Sequence, residues 1–326
     1  MIKLSPRTRL AAFAAGLAML ALPAAWAQDY PSRPIRIVVG YSAGGAVDTV
    51  ARTLAQSLSA SLGQAIVVDN KPGAGTNIAV KNVIDAAPDG YTLMLAANAL
   101  AANMALYQPP PFDAERDLAP IALVGRVPVV IAANASTPYR SIGDLVAAAK
   151  ARPGAIAFAS PGNGATPHMA VELFAKAAGI KLQHIPYRGG AQAITDAIGG
   201  QVPLVAVNAL EALPHVKSGK LKVLAALSAS RTAIFPDTPT IAESGYPGFE
   251  ASVWYGLVAP AGTPKPIIEK LHAEVQKALA AQEVRQRMVS VGGDVSPGPT
   301  VQFADLIRSE RERYAKLVRE VGIKPD

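Results

Sequence analysis

The sequence predicts an α/β protein folded into two lobes. Three observations lead there. Short apolar, β-branched runs alternate with helically spaced ones along most of the chain. Apolar runs of this continuous kind suit strands of a parallel sheet, covered by helices on both faces. A strand, a glycine-rich turn and a helix follow one another twice, at 35–55 and at 156–174. The chain also passes from a first α/β region into a second and back, with crossings expected near 124–127 and 249–253. Two crossings make a hinge about a cleft.

The elements follow in order. Ile35–Val39 is apolar and β-branched, and 47–62 has helical spacing that Gly63 stops. A short strand is expected at 65–69 and a helix at 77–86. Pro88, Asp89 and Gly90 supply a turn before an apolar strand at 91–96. Pro109, Pro110 and Pro111 form a stiff link. Two strands are expected at 118–124 and 128–133, joined by Gly125 and Arg126. Ser141 suits the N-cap of a helix to 151, with Asp144 in its first turn. The second region then reads as a strand at 156–159, a helix at 192–198, and strands at 202–207 and Leu221–Ala226. Pro236–Pro239 and Gly245–Gly248 punctuate a surface stretch. The chain closes with a strand at 253–259 and helices at 266–281 and 301–321.

The first 27 residues read as a cleavable export signal. Lys3, Arg7 and Arg9 precede an apolar stretch at 10–21, and Ala25, Trp26 and Ala27 form a small-residue cleavage site. Cleavage after Ala27 would release a periplasmic chain of about 300 residues, enough for two domains. The apolar stretch is too short to span a bilayer comfortably. There is no cysteine, so disulfides and thiol chemistry are excluded. The formal charge of +7 includes those three basic residues. The remainder is too weakly basic to argue for nucleic acid. Residues 309–320 alternate in sign and read as a solvated helix face.

Chemistry-bearing motifs are few. Gly40, Ser42 and Gly44 match the G-x-S-x-G nucleophile elbow, with a strand before and a helix after. A serine esterase built on Ser42 is therefore one alternative. Against it, no strand precedes Ile35 to supply an oxyanion-hole amide, and only His168, His184, His215 and His272 could serve as base. No motif has metal-ligand spacing. Gly73 and Gly75 read as loop glycines, not a dinucleotide fingerprint, and no cofactor is expected. What stands out instead is a pair of anion seats. A helix opening directly after Gly44 and Gly45 presents free amides and a positive dipole end. The same holds after Ser160, Gly162, Asn163, Gly164 and Thr166. Neither loop contains Lys or Arg, so a bound carboxylate would be held by neutral donors and could be released again.

Many short motifs in one order carry a resemblance across nearly the whole mature chain. They are residues 30–39, the Gly44 to Asp48 turn, Val68 to Gly75, Pro88 to Leu93, Ser160 to Gly164, Pro186 to Gly190, Leu213 to Leu221, Phe235 to Gly245 and Trp254 to Pro260. The chain resembles the periplasmic substrate-binding receptors of tripartite tricarboxylate transporters, the Bug receptors. The resemblance implies a two-lobed periplasmic-binding-protein type II fold, the Venus flytrap. Residues 28–126 with 250–326 would form lobe 1, and 127–249 lobe 2. It implies no catalysis, no cofactor and no metal. The implied ligand is a small carboxylate delivered to membrane permease subunits, with the receptor a monomer. A sensory role, in which the loaded form meets a signalling partner, is a further alternative. Carried onto this chain, the ligand-binding loops are Tyr41, Ser42, Ala43, Gly44 and Gly45, then Ser160, Gly162, Asn163 and Gly164 with Thr166 and His168. Asn98, Tyr187 and Asn208 would line the cleft. Asp48 would touch ligand or, by preference, support the first loop. The chain departs from the family pattern at Ser42 and Ala43, where an aromatic–proline pair is usual. It also has Pro203 and Val207 where acidic residues are common. That loss predicts a plain or aromatic acid as ligand and argues against a substrate amine.

Overall fold

The computed structural model describes residues 30–290 and 293–324. The export signal and its cleavage site lie outside the described residues. The unit that begins at Arg33 is described by itself. Among the described residues no helix is long and apolar enough to cross a membrane.

The first region is a β/α succession. Strands β1 (Ile35–Val39), β2 (Ile66–Asn70) and β3 (Thr92–Ala97) alternate with helices α1 (Ala46–Leu62) and α2 (Asn77–Ile84). The strands pair in parallel, β1 between β2 and β3. Helix α1 ends where Gly63 takes φ 67°, a left-handed turn that costs glycine nothing and lets its amide close on Ser59. Helices α3 (Ala99–Leu106) and α4 (Ala114–Asp117) lead into β4 (Leu118–Asn134).

Strand β4 is the spine of the molecule. Two strands broken at Gly125 were expected, yet one strand of 17 residues is present. Gly125 and Arg126 stay in register with Tyr255 and Trp254 of β9 (Ser252–Pro260), and the irregularity is absorbed between Leu123 and Gly125. Up to Pro128, β4 runs antiparallel to β9; from Val129 it pairs with β7 (Leu204–Asn208) and, from Val130, with β8 (Leu221–Ala226). β9 is also antiparallel to β3, so the sheet is mixed where a mostly parallel one was expected. β5 (Ala157–Ser160) joins β7 and β6 (Gln183–Pro186) in parallel. Among the described residues the strand order is β2-β1-β3-β9-β4-β7-β5-β6, with β8 and β10 (Asp294–Val295) also on β4.

Helices cover both ends of this sheet. Helices α5 (Ile142–Ala151), α6 (Thr166–Ala178), α7 (Gly190–Ile198) and α8 (Ala209–Lys217) belong to the second region; α9 (Lys265–Ala280), α10 (Gln282–Ser290) and α11 (Thr300–Val321) close the chain. One core gathers Val38, Met94, Leu100, Trp254 and Phe303; another gathers Val130, Ala159, Val205, Val207 and Leu221. The first brings the last helix back onto the first sheet. Trp254 and Phe303 meet edge to face at 5.5 Å, and the Phe303 ring lies directly over Gly256, where any Cβ would collide with it. Gly256→Ala should therefore destabilise the fold by about 1–3 kcal/mol through overpacking, measured by denaturant unfolding, and Gly256→Ala combined with Phe303→Leu should recover part of the loss.

Candidate functional site

The two glycine-rich turns meet across the region where β4 changes partners. In the first turn, Ser42 donates from both its amide and its Oγ to the carbonyl of Arg188, each at 3.1 Å. Arg188 belongs to the loop before α7, so this contact bridges the two regions. The hydroxyl of Ser42 is thus spent on a backbone carbonyl, and no histidine is among its described partners. The geometry of a nucleophile–base pair is missing there. Ala43 and Gly44 are exposed at the tip, while Gly45 is buried at the helix start.

Asp48 supports the loop rather than facing the cleft. It is 3% exposed. Its carboxylate accepts from Gly44 N at 3.0 Å, Arg52 Nε at 2.9 Å and Asn70 Nδ2 at 3.0 Å. Burial alone would raise its pKa, but those three bonds together hold the carboxyl below its usual range. Asn70 Nδ2 also donates to Tyr41 O, so one acid and one amide set the shape of residues 41–48.

The second turn is held from beneath. Ser160 is fully buried, and its Oγ lies 2.6 Å from His184 Nε2 and accepts from Gly162 N at 3.2 Å. His168 accepts from Gly164 N at 3.3 Å through Nδ1 and stacks on His184 with ring centroids 3.8 Å apart. Burial, then the neighbouring imidazole, pushes His168 well below its ordinary value, so it stays neutral. Ser160 and His168 were expected at the ligand; the structure gives them to the loop's foundation. Gly162 takes φ 134° with Tyr187 O where a Cβ would fall, and Gly164 takes φ 70° against Asn103 Oδ1. Both positions require glycine.

Asn98 is also occupied by protein. It is 1% exposed, donates to Glu310 Oε2 at 3.0 Å and Ser252 O at 3.3 Å, and accepts from Trp254 N at 2.9 Å. Tyr187 donates its hydroxyl to Asp196 at 2.7 Å; burial, then that carboxylate, pushes its pKa up to about 12.

Two spaces remain beside the turns. The outer cleft has a volume of about 580 Å³ and is walled by Tyr41, the Pro72–Thr76 turn, Tyr107, the Pro161–Asn163 turn and the Pro186–Arg188 segment. Asn163 Nδ2 is buried here with no hydrogen-bond partner, and among the described residues the Arg188 guanidinium enters no ion pair. Both are donors suited to an anion. The inner chamber shares Tyr41 and Pro161 with the cleft and is only about 20 Å³, room for one water-sized group. Thr166, Gly190, Asn208, Glu211 and Tyr255 line it. Thr166 Oγ1 and Tyr255 Oη are buried without a hydrogen bond of good geometry, although the Tyr314 hydroxyl stands near Thr166.

Glu211 was not foreseen. It is the third residue of α8, in the box that Asn208 opens as N-cap. Asn208 donates to its Oε2 from N at 3.3 Å and from Nδ2 at 3.4 Å. Asn208 Oδ1 faces the third helix amide but falls short of full hydrogen-bond geometry. From this position Oε1 reaches across to Ala46 N at 2.7 Å, the first amide of α1. The first anion seat is therefore filled by the protein's own carboxylate. A Cβ at Gly190 would strike that carboxylate, and one at Gly45 would lie 3.0 Å from it. Burial raises Glu211 above the usual carboxylate range, against the lowering effect of its bonds from Ala46 and Asn208. Pro203 and Val207 stand as read, while Glu211, three residues after Asn208, adds an acid to the lining of the inner chamber. The sequence signal was the Asn208–Glu211 cap spacing. What it could not show was a partner 165 positions away.

Asp48→Ala should cost about 1–3 kcal/mol, since it leaves buried donors unpaired. Denaturant unfolding measures this, and a loss below about 0.5 kcal/mol would show the loop does not need the carboxylate. Asn98→Ala should destabilise by a similar amount, about 1–3 kcal/mol, through the orphaned Trp254 amide and Glu310 carboxylate.

Comparison with known proteins gives the family. A family described as "Tripartite tricarboxylate transporter family receptor" matches residues 50–323. Protein BugT of Bordetella pertussis is 39% identical over 300 residues, covering 91% of this chain and 92% of that one. The structure of periplasmic binding protein BugD superposes with a TM-score of 0.87 at 36% identity, covering 90% of this chain and 99% of that one. R. palustris Rpa4515, solved with adipate, superposes at 0.88 with 31% identity, covering 91% and 100%. A match over most of the length, the shared fold and the paired glycine turns lead to one assignment: the chain belongs to the tripartite tricarboxylate transporter receptor family, the Bug receptors.

Proposed function

We propose that the chain is an extracytoplasmic receptor that binds a small carboxylate between two lobes and delivers it to the membrane permease of a tripartite transporter. The lobes would be residues 28–126 with 250–326, and 127–249, with β4 and the start of β9 as the hinge. The observation that carries this reading is the outer cleft. It is walled by Tyr41 at the start of the first glycine turn and by the Pro161–Asn163 turn; its Asn163 Nδ2, without a hydrogen-bond partner, and Arg188, without an ion pair among the described residues, are both donors. An anion entering it meets an amide N–H and a cation without displacing an existing ion pair. The helix amides behind the turns add to the attraction. The adipate carried by the R. palustris relative supports a ligand of this class. The export signal expected at residues 1–27 is consistent with a periplasmic site of action.

Two measurements test the reading. Thermal unfolding of the mature protein should show a midpoint that climbs with the concentration of one class of organic acid, because a ligand specific to the folded form stabilises it by about 2.7 kcal/mol at a hundred times its Kd. A panel of mono-, di- and tricarboxylates that leaves the midpoint unmoved would sink the proposal. Arg188→Ala should weaken the responding acid about tenfold or more, the scale of a lost charge-assisted hydrogen bond, while leaving the ligand-free midpoint in place.

A further inference from the structure

A third space lies away from both glycine turns, where α6 of the second region passes α11. Helix α11 packs on the first sheet through Phe303 and Trp254, so the two walls belong to different regions. The space has a volume of about 220 Å³, equal to about seven waters at their liquid volume. Met169, Ala170 and Leu173 line it from α6, Leu317 from α11, and Ala251 from the segment that leads into β9. Ala170 and Ala251 are short, and a longer side chain at either position would occupy the room. Walls of this kind offer water little hydrogen bonding and favour an apolar occupant.

Its polar groups are placed unevenly. At the buried end the Tyr314 hydroxyl stands near Thr166 and Asn98, so it already serves the protein. Arg313 donates to Glu250 O at 2.9 Å and to Glu310 Oε1 at 3.2 Å. At the mouth a single carboxylate, Glu320, lies 3.7 Å from Lys176 Nζ and 4.0 Å from Lys316 Nζ. Lys176 also donates to Glu320 O at 3.2 Å. Two lysines thus share one acid, and Lys316, 72% exposed, holds the looser pair. The mouth carries one positive charge in surplus over an apolar interior.

We infer that this space is a second binding site, and that it takes a small amphipathic anion with an apolar body the size of a pentyl chain or a phenyl ring. The body lies against Met169, Leu173 and Leu317 and removes apolar surface from water on both partners. The anionic group stays at the mouth beside Lys316, where it keeps part of its hydration, while Glu320 remains with Lys176. The site is separate from the outer cleft, with which it shares no lining residue. It shares only Thr166 with the inner chamber. Its existence therefore does not depend on what the cleft binds.

The test is calorimetric titration of the mature protein at neutral pH with hexanoate, and with hexanol as the probe of like shape that lacks the charge. Wild type should bind hexanoate more tightly than hexanol. Arg188→Ala, altered only at the outer cleft, should bind hexanoate as wild type does. Leu173→Trp, which fills the space from a half-buried position, should weaken hexanoate about tenfold or more, with the melting curve confirming a folded variant. Lys316→Glu should weaken it about fivefold, the upper range for an exposed charge contact, and should abolish the preference over hexanol. That exposed substitution carries the comparison if the Trp variant does not fold. Hexanoate binding lost in Arg188→Ala would place the probe in the cleft and overturn the inference. So would binding retained in folded Leu173→Trp, or no binding of hexanoate to wild type. Hexanol bound as tightly as hexanoate would overturn the anionic character of the site.

Discussion

The positions of all the cleft groups follow from the pairing of β4 with β9. Pro128, opposite Ser252, has no N–H to extend that ladder. One residue later β4 takes up β7, with Val129 opposite Asn208. The exchange of partners thus falls at a fixed place, and Val253 and Tyr255 of β9 and Asn208 at the end of β7 are delivered to it. All three line the inner chamber. The glycine turns, which follow β1 and β5, are oriented by the same sheet. A slip of one residue between β4 and β9 would turn Tyr255 to the other face and remove the chamber floor.

Local signals made much of this legible. The run of β1 is largely apolar and β-branched and that of β3 is almost continuously apolar, as strands covered on both faces are, and Gly63 marks the end of α1 as a left-handed cap should. The glycine turns showed themselves because their backbones demand glycine. Elements that local rules disfavour were harder to read. Helix α3 is buried at seven of its eight positions, so it has no polar face to produce a helical period. Helix α8 contains Pro214, which ordinarily argues against a helix interior. Gly125 suggested a break because a glycine weakens an isolated strand, yet neighbours on both edges hold β4 through it.

At the site, residue types were easier to foresee than roles. Ser160, His168 and Asn98 are polar, near the cleft and in the expected turns, but each is bonded or stacked within the protein: Ser160 to His184, His168 to nearby Gly164 and stacked His184, and Asn98 to Ser252, Trp254 and Glu310. Asp48 was read with two roles open, and its three donors decide for support of the loop. Conversely, Arg188 and Glu211 lie outside the glycine turns and acquire their importance only from what the fold sets opposite them. Polar residues beneath a loop and polar residues facing a ligand have the same composition; only the direction of the hydrogen bonds separates them.

The bridge between the two regions has a further property. Ser42 meets the Arg188 carbonyl through neutral groups, and Ala46 meets Glu211 where the carboxyl is enclosed by Gly45, Gly190 and Asn208. Neither contact is a pair of exposed ions, the kind that dissolved salt screens over a Debye length of about 8 Å at physiological strength. These two contacts between the regions are therefore decoupled from the ionic strength around the protein. On the proposed reading, only the capture of a charged ligand by Arg188 responds to it.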